Sequence, residues 1–277
     1  MSMNNLSIAA CVLFFEKVEQ TIECIGSLLP SGITIYILNN KSSQKPRDKI
    51  GEFCSKHHQV KLFDSDDNLG IGVGRNYLIS HTTEDWLLFV DSDIVLKTPD
   101  WLRIVTSHIS ESKDIEVFIP KLFNVRENRF DIPDAITIED KKIILKLPTN
   151  DVSNSFPGGA AFINRKLFDR AGMYDEEMFV GFEDFELSIR CMLCGNPVRA
   201  MIISDIELIH DHRQVREIED KRAVLTRYDM NNLEKSFKRF AKKYPDFRFE
   251  HEWRSWVMEQ MEKLLPKKIW ASLFRRP

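Results

Sequence analysis

Four short stretches of this 277-residue chain bring together side chains able to do chemistry. Asp91-Ser92-Asp93 directly follows the apolar run Trp86–Val90. Two carboxylates two residues apart, held at the end of a flat buried strand, can converge on one hard cation. Oxygen donors of this kind suit Mg2+ or Mn2+, usually shared with a substrate phosphate. A solvated turn would also use aspartate, but the place straight after a buried strand favours the metal. Asn68 to Asn76 (NLGIGVGRN) reads as a glycine-rich turn entering a helix. Its glycines let backbone amides approach a ligand, and Arg75 can pair with a phosphate near the helix start. A tight loop closing the helix onto a sheet would look the same. The spacing is not GxGxxG and it follows a third strand, so it makes a poor dinucleotide fingerprint.

Phe182-Glu183-Asp184-Phe185-Glu186 opens a helix. Acids in a first turn complement the macrodipole, and one carboxylate aimed into a cleft can also serve as a general base. Ile209-His210-Asp211-His212 follows a short apolar run. Imidazole is accepted by Mn2+ in mixed nitrogen and oxygen sites, so His210, ahead of His212, is placed to complete the acidic pair.

These residues need a frame, and the first half of the chain supplies a repeating one. Ile8–Phe14 reads as a strand and Val18–Leu29 as a helix with Ile22, Ile25, Leu28 and Leu29 on one face. Ile33–Leu38, rich in β-branched residues, is a second strand. Arg47–His57 is helical, Val60–Phe63 is a third strand, and Gly74–His81 a helix. Trp86–Val90 is apolar throughout, which predicts a central strand of a parallel sheet. This alternation predicts an open doubly wound sheet, whose ligands sit at the carboxyl ends of the strands. Residues 121–157 are less regular, with a hairpin around Asp140-Lys141-Lys142. Helices follow over about Arg165–Gly172 and Asp184–Gly195. Beyond Asp205–Ile209 the chain reads as long charged helices with no strand, and a boundary falls near residue 215.

Composition narrows the classes. With 39 basic and 42 acidic residues the net charge is −3, so no overall positive field recruits nucleic acid. An aromatic content of 10% builds a core and excludes low-complexity disorder. The run Leu6 to Phe15 is too short to span a bilayer and lacks the positive flank of a signal peptide. Five cysteines, with one CxxC at Cys191 and Cys194 and no second ligand pair, read as reduced, mostly buried thiols of a cytoplasmic protein.

In this order the motifs resemble the family 2 glycosyltransferases of the GT-A fold, of the bacterial cell-surface-glycan type, over residues 6–215. The likeness rests on a first strand, Asn39-Asn40 after the second, NxGxxxxRN, a strand ending in DxD, the PGGA of Pro157 to Ala160, FEDFELSIR and a histidine. It implies an α/β fold with a mixed sheet flanked by helices, followed by a helical extension over 216–277. It also implies a UDP- or dTDP-linked sugar donor. Asn39, Asn40, Asn68 and Arg75 would meet its nucleoside, and Asp91, Ser92 and Asp93 its diphosphate. Asp91, Asp93 and His210 would hold Mn2+ or Mg2+, and Gly158 and Gly159 would line the sugar and acceptor cleft. Asp184, with Glu183 as its understudy, would be the base of an inverting transfer to a glycan, lipid-linked or protein acceptor. The family often has Asp where this chain has Asn39; an amide can still bond a pyrimidine imide.

Two other readings use the same residues. Asp91-Ser92-Asp93-Ile94-Val95 fits the DxDx[TV] nucleophile motif of haloacid-dehalogenase-like phosphatases, although 90 residues precede it and no GDxxxD follows. A non-catalytic scaffold could keep the fold and bind a partner. In the C-terminal segment, Leu225, Tyr228, Leu233, Phe237 and Phe240, then Trp253, Trp256, Val257, Met261, Leu264 and Leu265, recur at helical spacing. They predict amphipathic helices that pack on the catalytic domain or on another subunit. Residues 266–277 combine lysines and arginines with large apolar side chains and no acids, a composition suited to peripheral contact with anionic lipid on the inner membrane face.

Overall fold

The computed structural model describes residues 6–211, 218–249 and 259. Its first half runs β1 (Ile8–Phe14), α1 (Val18–Leu28), β2 (Thr34–Asn39), α2 (Gln44–Ser55), β3 (Val60–Asp64), α3 (Gly70–His81), β4 (Trp86–Val90), β5 (Ile94–Leu96) and α4 (Trp101–Glu111). The middle contains β6 (Val117–Asn124), β7 (Arg129–Asp131), β8 (Ala135–Glu139), β9 (Lys142–Lys146), β10 (Val152–Ser153) and β11 (Ala160–Asn164). Then come α5 (Arg165–Ala171), α6 (Glu183–Leu193), β12 (Ala200–His210), α7 (Ile218–Arg227), α8 (Met230–Lys243) and β13 (Arg248–Phe249).

Among the described residues the main sheet follows the order β10-β12-β6-β11-β4-β1-β2-β3, with β5 on β12 and β7 on β6. Strands β3, β2, β1 and β4 are parallel, as the alternating sequence predicts. The expectation for β4 needs one correction. It is central, but β11 lies antiparallel on its other side, so the sheet is mixed. All five residues of β4 are buried because both faces are covered. Successive side chains point to opposite faces. Leu88 and Val90 join the layer of α1, α2 and α4 with Ala10, Val12 and Phe14. Leu87 and Phe89 join the layer of α3, α5 and α6 with Leu78, Leu167 and Leu187.

Asp140 and Lys141, both at positive φ, form the two-residue turn between β8 and β9, where the sequence places a hairpin. The expectation of no strand beyond the run Asp205–Ile209 fails at β13. Strand β12 runs to His210, and β13 pairs in parallel with β9 to complete a three-stranded sheet. Two-residue strands such as β13 carry no alternation to read. The predicted boundary at 215 falls outside the described residues, but elements from either side of it share cores. Val180 packs with Val224, Tyr228 and Leu233, and Ile136, Met178 and Ile189 pack with Phe240. So α7 and α8 pack on the body formed by the elements that precede them. Trp253, Trp256, Val257, Met261, Leu264 and Leu265, the tail 266–277 and His212 lie outside the described residues. Among the described residues, no helix is long and apolar enough to cross a membrane.

Candidate active site

A cavity of about 740 Å³ opens at the carboxyl ends of β1 and β4. Its lining includes Phe15, Lys17, Asn40, Asn68, Asp91, Ser92, Asp93, Pro157 and His210. The β6–β7 hairpin adds Arg126 and Arg129, and α7 closes one wall with Val224 and Arg227, joined by Tyr228 just past its end. Six residues singled out from the sequence therefore share one space.

The acidic pair divides its work. Asp91 is the open member, its side chain 47% exposed, with Arg75 Nη2 3.6 Å from Oδ1. Asp93 is buried: Lys17 Nζ donates to Oδ2 at 2.7 Å, and His210 Nε2 lies 3.3 Å from Oδ1. Burial works against the Lys17 charge, but the Asp93 carboxylate outweighs it and holds the ammonium above the ordinary lysine range. The donor chemistry of Asp91, Asp93 and His210 fits a divalent cation. Only part of that set is assembled, since among the described residues no three His, Cys, Asp or Glu side chains converge closely enough to hold an ion.

Behind Asp91 lies a second layer that the sequence does not order. The NLGIGVGRN stretch is not a turn preceding a helix at Gly74. Helix α3 already begins at Gly70, so Gly72 and Gly74 lie within it. They are needed because the helix runs hard against its neighbours: a Cβ on Gly74 would stand 2.9 Å from Leu13 Cδ2, and one on Gly72 3.0 Å from the Asp175 carbonyl oxygen. Arg75 is thereby moved from the helix start to a buried interior position, 4% exposed, where Nη1 donates to Glu183 Oε1 at 3.1 Å. Burial opposes the Arg75 charge, but Tyr174, Glu183 and Asp91 outweigh it and raise its pKa. Burial and the neighbouring Asp184 charge push the Glu183 carboxyl up, against the pull of Arg75. Glu183 Oε2 is buried without a hydrogen-bond partner.

Gly158 and Gly159 bind this layer together. A Cβ on Gly158 would overlap the Arg75 guanidinium, and one on Gly159 the Asp91 carboxylate. The Asp91 amide donates to the Gly159 carbonyl at 2.8 Å. The Gly158 amide donates to Asp184 Oδ2 at 2.9 Å, while Asp184 Oδ1 accepts from the Phe185 amide at 2.7 Å. Gly181 and Phe182, both at positive φ, turn the chain into α6 and set Glu183 and Asp184 at its first two positions.

The asparagines serve the backbone. Asn40 donates to the Gly70 carbonyl and accepts from the Leu69 amide, so it ties β2 to the start of α3. Asn39 accepts from the Ser42 amide and donates to Asp64 Oδ1 at 2.7 Å; it is buried and outside the cavity lining. Asn68 caps the turn into α3 through the Gly70 amide and lines the cavity.

The sequence model described as "Glycosyl transferase family 2" matches residues 10–172, more than half of the chain. The chain belongs to glycosyl transferase family 2. Within this family it is similar to dTDP-rhamnosyl transferase RfbF of Shigella flexneri, 21% identical over 220 residues that cover 75% of this chain and 70% of the relative. The fold is the GT-A fold of its structural neighbours. GalNAc-T7, crystallised with UDP, GalNAc and Mn2+, superposes with a TM-score of 0.60 at 18% identity, over 76% of this chain and 44% of that one. The mannosyltransferase PcManGT of Pyrobaculum calidifontis, in complex with GDP-Man and Mn2+, does so with a TM-score of 0.57 at 13% identity, over 85% and 64%. The chain thus spans less than half of GalNAc-T7 and about two thirds of PcManGT. As a family 2 glycosyltransferase it is an enzyme, and the phosphatase and scaffold readings give way.

Sequence reasoning missed Lys17, the cavity cations Arg126, Arg129 and Arg227, and Glu16. Glu16 is fully buried at positive φ, where it accepts from Ser43 and from Arg222 of α7. An isolated lysine or arginine carries no spacing signal. The unpatterned charge pair Glu16-Lys17 at the end of the first strand was the available hint.

Proposed function

We propose that this glycosyltransferase moves a sugar from a UDP- or dTDP-linked donor to a hydroxyl of a glycan, lipid-linked or protein acceptor, inverting the anomeric carbon. The observation that carries this reading is the Gly158-Gly159 turn. One glycine holds the Asp184 carboxylate and the next is pressed against Asp91. The base and the diphosphate-binding acid are thus fixed relative to each other by backbone.

In this reading the diphosphate lies in the cavity beside Asp91, Ser92 and Asp93, among the cations Lys17, Arg126, Arg129 and Arg227. Asp184 accepts the proton of the acceptor hydroxyl, whose oxygen attacks the anomeric carbon. The bond from that carbon to the diphosphate oxygen breaks on the opposite face, and the surrounding cations meet the departing charge. Asp91, Asp93 and His210 would hold Mn2+ or Mg2+, which supplies Lewis-acid stabilisation of the leaving diphosphate when bound; Mn2+ in the GalNAc-T7 and PcManGT crystals supports this choice. Arg75, locked between Glu183 and Asp91, orients the acids and keeps Glu183 from the base's role. Asn40 and Asn68 shape the edge of the nucleoside site, and Asn39, outside the cavity lining, braces the turn after β2 through Ser42 and Asp64. The dTDP in the RfbF name and the UDP beside GalNAc-T7 support a pyrimidine donor.

Replacing Asp184 by Asn tests the assignment, since the amide cannot take a proton and gives up only one of the two backbone amides that the carboxylate accepts. Donor binding measured by calorimetry should be retained, while transfer falls by about 10²–10⁴-fold, the usual worth of a general base. Turnover like the wild type would remove Asp184 from that role.

A further inference from the structure

Asp93 is the deep member of the acidic pair, and both of its oxygens are already engaged. Lys17 Nζ lies 2.7 Å from Oδ2, and His210 Nε2 3.3 Å from Oδ1. Lys17 is no stray surface lysine. It caps α1 immediately after β1, its carbonyl accepts the Thr21 hydroxyl at 2.7 Å, and its side chain is 24% exposed. The preceding Glu16 is locked at positive φ by Ser42, Ser43 and Arg222, so the backbone that delivers this ammonium is fixed. Lys17, Asp91, Ser92, Asp93 and His210 all line the same cavity.

The ammonium 2.7 Å from Oδ2 occupies one of that oxygen's lone pairs and neutralises the charge that would draw a divalent cation to Asp93. Bringing one to Asp93 would also place two positive charges in contact, in a site partly shielded from water. We propose that Lys17 is a built-in competitor for the cation position at Asp93. The protein alone then holds a divalent cation weakly. Lys17 moves from Asp93 to the donor's diphosphate when that anion enters the cavity, which its flexible four-carbon stem permits, and Asp93 is released for metal. The second half of this proposal rests on the donor reading given above; the competition itself does not.

The test is a titration of the full-length protein with Mn2+ alone, following the free ion by electron paramagnetic resonance. Neighbouring charges move proton equilibria at carboxylates by one to three pKa units, so Lys17→Met should bind Mn2+ at least about tenfold more tightly than wild type. Lys17→Arg, which keeps the charge, should bind as weakly as wild type. Lys17→Gln serves the same purpose if the Met variant does not fold. Unchanged or weaker Mn2+ binding in the neutral variants overturns the competition. A second arm repeats the titration with UDP, dTDP or GDP present. One of them should tighten Mn2+ binding in wild type and do so less in Lys17→Met. If none does, the donor reading fails, while the first arm still decides the role of Lys17.

Discussion

Asp184 receives two backbone amides, whereas Glu183, its neighbour on the same first turn, is committed to Arg75. Adjacent residues on a helix point about 100° apart, which is how neighbouring acids can take such different partners. The glycine turn behind them is packed tightly against the Arg75 and Asp91 side chains. Gly159→Ala would drive a methyl group into the Asp91 carboxylate. The variant should fold, since the displaced carboxylate is half exposed and can swing aside. Its donor binding, read by calorimetry, should nonetheless fall about tenfold or more, as one charge-assisted contact is worth about 1.5–3 kcal/mol. Donor affinity equal to wild type would show that Asp91 does not touch the donor. At this scale residue type and chain position suffice to single out Asp91, Asp93, Asp184 and Arg75 as candidates. The sequence misplaces Arg75 at a helix start, because nothing in NLGIGVGRN says that three glycines belong to a helix pressed against Leu13 and Asp175.

Helix α6 carries Glu183 and Asp184 at its first turn, and α8 holds that turn in place. Lys243 Nζ and the Tyr244 hydroxyl both reach Glu186, each at 2.6 Å, and Glu186 is fully buried. Asp175, in the loop before α6, accepts from Arg239 and Lys243, and its carboxylate also accepts the Glu177 amide. Burial raises the Asp175 carboxyl, but Lys243, the amide and Arg239 outweigh it, and its pKa lies below the ordinary aspartate range. A depressed folded-state pKa contributes stability above the unfolded value of about 3.9 and loses it as the pH falls through the folded value. Asp175→Asn should therefore be less stable than wild type near pH 7, with the gap in melting temperature closing below about pH 4. A gap that stays constant into acid would contradict the ion-paired docking of α8. The spacing of Leu233, Phe237 and Phe240 made α8 legible as an amphipathic helix. The loop bearing Asp175 has no periodicity, so its partners on a distant helix could not be read.

Over the whole molecule, the parallel half of the sheet follows from alternating apolar runs, and the mixed half does not. Strand β11 is as apolar as a parallel strand would be, and only its pairing with β4 and β6 reveals its direction. The molecule also uses its C-terminal helices as part of the catalytic domain. Helix α7 walls the cavity with Val224 and Arg227, and Arg222 fastens it to Glu16 at the end of β1. Part of the cavity wall is thus built from the β6–β7 hairpin and α7. In this chain of net charge −3 the cavity lining mixes the cations Lys17, Arg126, Arg129 and Arg227 with the acids Asp91, Asp93, Glu127, Asp131, Asp134 and Glu259.

Calorimetric titration of wild type and Asp91→Ala with UDP, dTDP and GDP, each in the presence of Mn2+, tests most directly whether this cavity holds a nucleoside diphosphate. The account predicts that wild type binds one pyrimidine nucleotide and that Asp91→Ala loses it. Binding that survives in Asp91→Ala, or no binding of any of the three by wild type, would contradict it.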